Sequence, residues 1–188
     1  MKNIIKRLFQ IKKVKVYCLS KPELLGVKPM MDCNILFVNK ENYIRVLEMR
    51  NDNVSESFKN MLNDGQIGIL AEVNGKIVSH AWMQIGKFSR NKYNGAYGKL
   101  KDNEGLIHFC NTSPEFRGNN LYPFLIYELA TVYFFKMPTN ILYITTSPDN
   151  YSSQKGLLKV GFMHLEDRLI FRILKYIKFE IKIVQKGC

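Results

Sequence analysis

Two apolar, β-branched runs, Gln66–Val73 and Lys76–Ile85, are joined by Asn74-Gly75 alone. Asparagine and glycine tolerate the positive φ that a two-residue type I′ turn requires, so the pattern specifies an antiparallel hairpin. Upstream, Val14–Leu19 alternates as a strand closed by Pro22, and residues 20–33, with Pro22, Gly26 and Pro29, read as loop. Ile35–Val38 is a short strand. Asn39 stands where it would cap a helix over Lys40–Asn51, with Tyr43, Val46 and Leu47 on one face. Asn53 and Glu56 resemble a capping box that opens a second helix to Leu62, ended by Asp64-Gly65.

Downstream, residues 86–103 hold Gly86, Gly95 and Gly98 among lysine, asparagine and tyrosine, and read as a mobile polar excursion. Leu106–Asn111 is a short strand, followed by a turn and an apolar helix from about Tyr122 to Phe135. Ile141–Thr146 is a strand, Asn150–Lys159 a helix and Gly161–Leu165 a strand. One or two more strands follow over Arg168–Ile183, where Ile177, Phe179, Ile181 and Ile183 alternate with Lys178, Glu180 and Lys182. The order predicts an α/β fold with a single mixed, mostly antiparallel central sheet flanked by helices.

A length of 188 residues suits one domain, 1–188, with 1–39 as an N-terminal strand and loop extension. No apolar run approaches the roughly 18–20 residues that span a bilayer, and Met1–Gln10 lacks a compact apolar stretch or cleavage site, so a soluble cytoplasmic protein is expected. His80, His108 and His164 form no ligand-like pair with Cys18, Cys33, Cys110 or Cys188; no metal is expected, and the cysteines read as free thiols. The formal charge of +12 bears on partners rather than fold. Nucleic acid would call for basic residues interleaved with aromatics on one element, whereas the lysines spread over both termini and several loops. A solvated basic surface accounts for them, as does a pyrophosphate-bearing cofactor or nucleotide-linked substrate. The basic ends allow at most peripheral membrane contact. A homodimer is left open.

Between Thr112 and the apolar helix lies Ser113-Pro114-Glu115-Phe116-Arg117-Gly118-Asn119-Asn120. A strand-to-helix turn of this kind presents backbone N–H groups at the positive end of a helix dipole, a site suited to a pyrophosphate. Gly118 permits close backbone approach, the asparagines accept left-handed conformations, and Pro123 belongs in a first helical turn. Taken alone, the segment reads equally as an ordinary strand-to-helix loop.

Thr112-x-Pro114-Glu115-Phe116-Arg117-Gly118 resembles the cofactor motif of the GNAT acetyltransferases, R/Q-x-x-G-x-G/A. Asn150-x-x-Ser153 with Lys159-Val160-Gly161-Phe162 resembles that superfamily's second motif, and the Asn-Gly hairpin sits where the family places its second and third strands. The resemblance covers roughly residues 40–172. Asn120 and Tyr122 depart from it, standing where a glycine and a small residue belong. The run Arg117–Pro123 looks most like the branch associated with bacterial surface-sugar biosynthesis.

The resemblance implies acetyl-CoA or another acyl-CoA as cofactor, bound by Asn111, Thr112, Phe116, Arg117, Gly118, Asn119, Asn120, Leu121, Tyr122, Asn150 and Ser153. It implies direct attack by an amine on the thioester, without a covalent enzyme intermediate. His80, in register with Val78 and Trp82, and His108, on the strand before the turn, are the candidate bases, because a histidine titrates near neutrality. Each is equally placed to be structural. Many relatives use a tyrosine seven residues after the asparagine as acid; here that position is Leu157. Cys110 reads as a buried apolar thiol rather than a nucleophile. Trp82 and Tyr93 are candidates for stacking on the acceptor. The leading acceptor is a small amine, a nucleotide-linked amino sugar; the alternatives are a protein N-acetyltransferase and a non-catalytic acyl-CoA-binding module.

Overall fold

The structure is a computed structural model that describes residues 9–50, 54–94, 97–138, 140–173 and 177–184. Its elements run β1 (Phe9–Leu19), β2 (Asn34–Phe37), a 3-10 segment (Tyr43–Glu48), α1 (Val54–Asn63), β3 (Ile67–Val73) and β4 (Lys76–Ile85). There follow β5 (Tyr93–Asn94), β6 (Gly98–Lys99), β7 (Glu104–Thr112), α2 (Leu121–Lys136), β8 (Ile141–Thr146), α3 (Tyr151–Val160), β9 (Met163–Ile173) and β10 (Ile177–Val184). Eight strands form one sheet in the order β10-β9-β1-β8-β7-β4-β3-β2, while β5 and β6 pair as a separate ribbon. Within the large sheet β7 and β8 are parallel and every other pairing is antiparallel. The expected fold class is the observed one.

The hairpin forms as its turn chemistry requires: Val73 pairs with Lys76, and Asn74 and Gly75 take φ of 51° and 78°. Successive side chains of β4 point to opposite faces and bury both. Ala81 and Met83 join the main core, where Leu125, Ile126, Leu129 and Tyr133 of α2 pack on Ile107 and Ile144. Trp82 and Ile77 join a second cluster beneath Phe58 of α1 and Val46 of the 3-10 segment. A register shift opposite Ala71/Glu72 makes Ala71 face Ser79 while Glu72 faces Ile77. The extra residue reverses the alternation, so Val78 lies in the α2-side core and does not share a face with Trp82, as the simple strand pattern predicts.

Three other expectations are corrected. The helix over Lys40–Asn51 is only the 3-10 segment Tyr43–Glu48. Asn39 does accept from the amides of Glu41 and Asn42, but the Asn42 side chain returns bonds to Asn39 N and Phe37 O, a local polar knot that competes with helix extension. Asn53, the expected cap of α1, lies outside the described residues. The excursion 86–103 is anchored: Tyr97 and Leu100 are buried with Leu106 and Val16, and the guanidinium of Arg168, ion-paired with Glu166, donates to Tyr97 O and lies 4.6 Å from its ring centre. Among the cysteines, Cys33 and Cys110 are free but Cys18 is disulfide-bonded; Cys188 lies outside the described residues. β1 is paired on both sides, with β8 and β9. Among the described residues no helix is long and apolar enough to cross a membrane.

Candidate active site

The parallel ladder between β7 and β8 runs from Glu104↔Ile141 to Ile107↔Ile144. Beyond it β7 keeps β4 as partner and β8 keeps β1, so each strand is held from its outer side alone. The point of divergence coincides with a bulge in β7. Trp82 pairs with His108 but His80 with Asn111, which leaves Phe109 and Cys110 opposite Ala81, and Phe109 takes a φ of 50°. A bulge bends its strand and leaves a residue out of the ladder. Between the diverging strands opens a cleft of about 550 Å³, walled by His108–Thr112 on one side and Ile144–Ser147 on the other, with Tyr122, Asn150 and Ser153 also in its lining.

The turn that closes β7 folds as Pro114 dictates. Pro114–Phe116 make one 3-10 turn, with Phe116 N donating to Ser113 O at 3.0 Å and Arg117 N to Pro114 O at 3.2 Å. Gly118 (φ 87°) and Asn120 (φ 57°) then take left-handed conformations, and α2 begins. Only glycine adopts the first without strain, and asparagine tolerates the second. Among the described residues, the amides of Gly118, Asn119, Asn120, Leu121 and Tyr122 donate to no protein acceptor; that of Arg117 is engaged. A second cleft of about 260 Å³ lies over this run, shares Thr112, Arg117, Tyr122 and Ser152 with the first, and is flanked by Lys155 and Lys159. Arg117 Nε donates to Thr112 O (3.1 Å), and Lys159 Nζ to Asn120 Oδ1 (2.8 Å). Unengaged amides at a helix N-terminus beside three cationic side chains suit a diphosphate.

The expected cofactor residues are therefore brought together, with one exception. Asn111, Thr112, Arg117, Tyr122, Asn150 and Ser153 line the larger cleft, and Phe116, Gly118, Asn120 and Leu121 the smaller. Asn119 lines neither; its carbonyl accepts from Met30 N and its side-chain amide donates to Phe116 O. Asn150 is the N-cap of α3, accepting from Ser153 N at 3.0 Å. Tyr122 is accommodated by its surroundings. Its hydroxyl lies 2.8 Å from Ser153 Oγ, and its ring fills the space where a side chain on Gly156 would stand. Burial pushes its phenol above the ordinary tyrosine value, so it stays protonated. Leu157 is fully buried in the core.

The two candidate bases separate. His108 lines the cleft, and its Nε2 lies 2.8 Å from Gln66 Oε1. Burial pushes its pKa down to about 4, an effect that the nearby Asp64 charge opposes, so the ring is neutral at pH 7. His80, 1% exposed, packs edge-on to Phe58 and beside Phe109, and does not line the cleft. Trp82, expected to stack on an acceptor, is fully buried against Phe58 and is a packing residue. The side chain of Tyr93 lies outside the described residues. Burial pushes the Cys110 thiol up to about 12, so it is protonated and a poor nucleophile at neutral pH. Gln66, 42 positions from His108, has no signal in the sequence beyond its place after Asp64-Gly65.

Comparison with solved structures decides the fold family. A protein from Novosphingobium aromaticivorans described as a GNAT acetyltransferase superposes with a TM-score of 0.62 at 12% identity, covering 87% of this chain and 66% of its own. A GNAT acetyltransferase from Colwellia psychrerythraea gives 0.62 at 13%, covering 93% and 57%. The aminoglycoside N-acetyltransferase AAC(6')-Iy, bound to the bisubstrate analogue CoA-S-monomethyl-acetylneamine, gives 0.54 at 18%, covering 71% and 92%. The chain has the GNAT fold. It spans less than two-thirds of the length of the first two of these GNAT structures. No protein-family model and no curated protein sequence matches it. In the GNAT fold seen here, the cleft between the diverging parallel strands and the amide-rich turn are contiguous.

Proposed function

We propose that this GNAT-fold protein transfers an acyl group, acetyl in the simplest case, from acyl-CoA to a small amine by direct attack. The observation that carries the reading is the run of unengaged amides from Gly118 to Tyr122, opening into the cleft between β7 and β8. These amides, with Arg117, Lys155 and Lys159, hold the diphosphate, and the edge of β7 at Asn111 and Thr112 pairs with the pantetheine arm. A peptide group released from the ladder by the bulge at Phe109 meets the thioester oxygen. Such a donor lowers a barrier by about 2.7–4 kcal/mol in other acyl-transfer sites.

The acceptor arrives as an ammonium ion and gives one proton, through His108, to water, because a ring with a pKa of about 4 holds that proton only in passing. The amine nitrogen bonds to the thioester carbon, the carbon–sulfur bond breaks, and the second proton goes to the departing thiolate. The products are an amide and the free thiol of CoA. Holding nitrogen and carbonyl in line supplies much of the acceleration.

Among the described residues no carboxylate lines either cleft, whereas Arg117, Lys155 and Lys159 do. A polycationic acceptor would find no countercharge there; with those three cations engaged by the cofactor, the chain's formal charge of +12 is what favours an amine carried on an anionic group, such as a nucleotide-linked amino sugar. The bisubstrate analogue bound to AAC(6')-Iy carries acetylneamine; an aminoglycoside is thus the contrasting case. Burial of Leu157 where relatives carry an acid favours a second reading, a module that binds acyl-CoA without turnover.

Titration calorimetry with acetyl-CoA tests the binding. Heat of binding is expected for the protein, with affinity about tenfold lower for Arg117→Ala, the loss of one charge-assisted contact. No heat at millimolar acetyl-CoA refutes both readings. Thiol release with UDP-glucosamine, a peptide bearing a free N-terminus, and neamine then separates the acceptor classes; binding without release for any amine leaves the non-catalytic module.

A further inference from the structure

The end of α1 delivers a hydrogen-bonded chain to His108. Gly65 N and Gln66 N close the helix on Leu62 O and Met61 O, which brings the Asp64 and Gln66 side chains to the edge of β7. Gln66 Nε2 donates to Asp64 Oδ2 at 2.8 Å, and the other carboxylate oxygen accepts from Asn91 N at 2.6 Å. An ionised carboxylate accepts only, so the Gln66 amide cannot be reversed without setting oxygen against oxygen. Its Oε1 must therefore face His108 Nε2, and the 2.8 Å contact requires the ring to carry its hydrogen there.

We propose that Gln66, oriented by Asp64, is a positioning residue that holds His108 in the Nε2–H tautomer, leaving the Nδ1 lone pair as the acceptor of the ammonium proton. The inference rests on the reading of His108 as the base. On each turnover the proton passes from the amine nitrogen to Nδ1 and from there to water, while Nε2–H stays on Gln66. Of the neighbouring titratable groups, Asp64 lies at the end of α1, while the Cys110 thiol on β7 reaches the His108 carbonyl rather than the ring. Of these, the Asp64 charge acts on the ring to favour its protonation, so it stabilises the imidazolium as it forms.

Nitrogen-15 spectra of the histidine-labelled full chain read the tautomer directly, with the His108 signals assigned by their loss in His108→Asn. The wild-type ring is expected as Nε2–H. Gln66→Leu should shift it towards a mixture, and lower kcat about tenfold to a hundredfold with the fastest of the three amines above, at unchanged KM for acetyl-CoA. Gln66→Glu combined with Asp64→Asn, which keeps a donor–acceptor pair between the two side chains and an acceptor facing Nε2, should restore the tautomer and move the acid limb of the kcat profile to higher pH. An unchanged spectrum and pH profile in Gln66→Leu overturns the tautomer lock. Undiminished kcat in His108→Asn overturns the base assignment, and the catalytic half of the proposal with it, whatever the spectrum shows.

Discussion

Gly156 lies within α3, where alanine is ordinarily favoured over glycine by roughly 0.5–1 kcal/mol. Here the sign should reverse. A Cβ on Gly156 would stand 2.9 and 3.0 Å from two ring carbons of Tyr122, whose hydroxyl is tied to Ser153 at 2.8 Å. The ring cannot retreat without breaking that bond or pressing on the α2-side core. Overpacking of this kind costs about 1–3 kcal/mol. Set against the helical gain, Gly156→Ala should destabilise the protein by about 0–2.5 kcal/mol. In a Tyr122→Ala background the clash is gone and the same change should stabilise by about 0.5–1 kcal/mol. Urea denaturation of the four proteins closes the cycle, with a coupling of about 1–3 kcal/mol expected at constant m-value. Equal stabilisation by Gly156→Ala in both backgrounds would show that Tyr122 does not occupy the space against α3, and the account of how a tyrosine is tolerated beside the clefts would fail.

Asn150→Ala removes the cap on Ser153 N and should lower stability by about 0.5–2 kcal/mol in the same denaturation assay, with Asn150→Asp largely sparing it. Arg168→Met strands the buried Glu166 carboxylate and should cost about 3–5 kcal/mol, much of it recovered when Glu166→Gln is added, as read by urea midpoints. His108 has a folded pKa depressed to about 4 against an unfolded value of about 6.5. Its contribution is therefore complete above about pH 6.5 and is lost as pH falls towards 4, because the unfolded chain binds the proton first. Denaturation midpoints across that window should fall less steeply for His108→Asn than for the parent; parallel slopes would refute the burial of a neutral ring.

The Asn74-Gly75 hairpin, the strand Ile141–Thr146 and the capped helix after Asn150 were legible from the chain alone. Each is set by chemistry within a few residues: positive φ at a turn, alternation along a strand, a side chain accepting from an amide three positions on. For the same reason the left-handed φ values and the unengaged amides of the turn between Ser113 and the helix could be anticipated, since they belong to one short segment. The faces of β4 could not be read, because one bulge residue opposite Ala71 and Glu72 reverses the alternation and only pairing with β3 reveals it. That reversal put Val78 in the α2-side core, burial against Phe58 held Trp82 and His80 on the other face, and a second bulge at Phe109 lies where the cleft opens. Tertiary structure alone decided that β1 lies between β8 and β9, and that Gln66 meets His108. Such contacts are settled by burial and ladder energies summed over many distant residues, and no local pattern carries that sum.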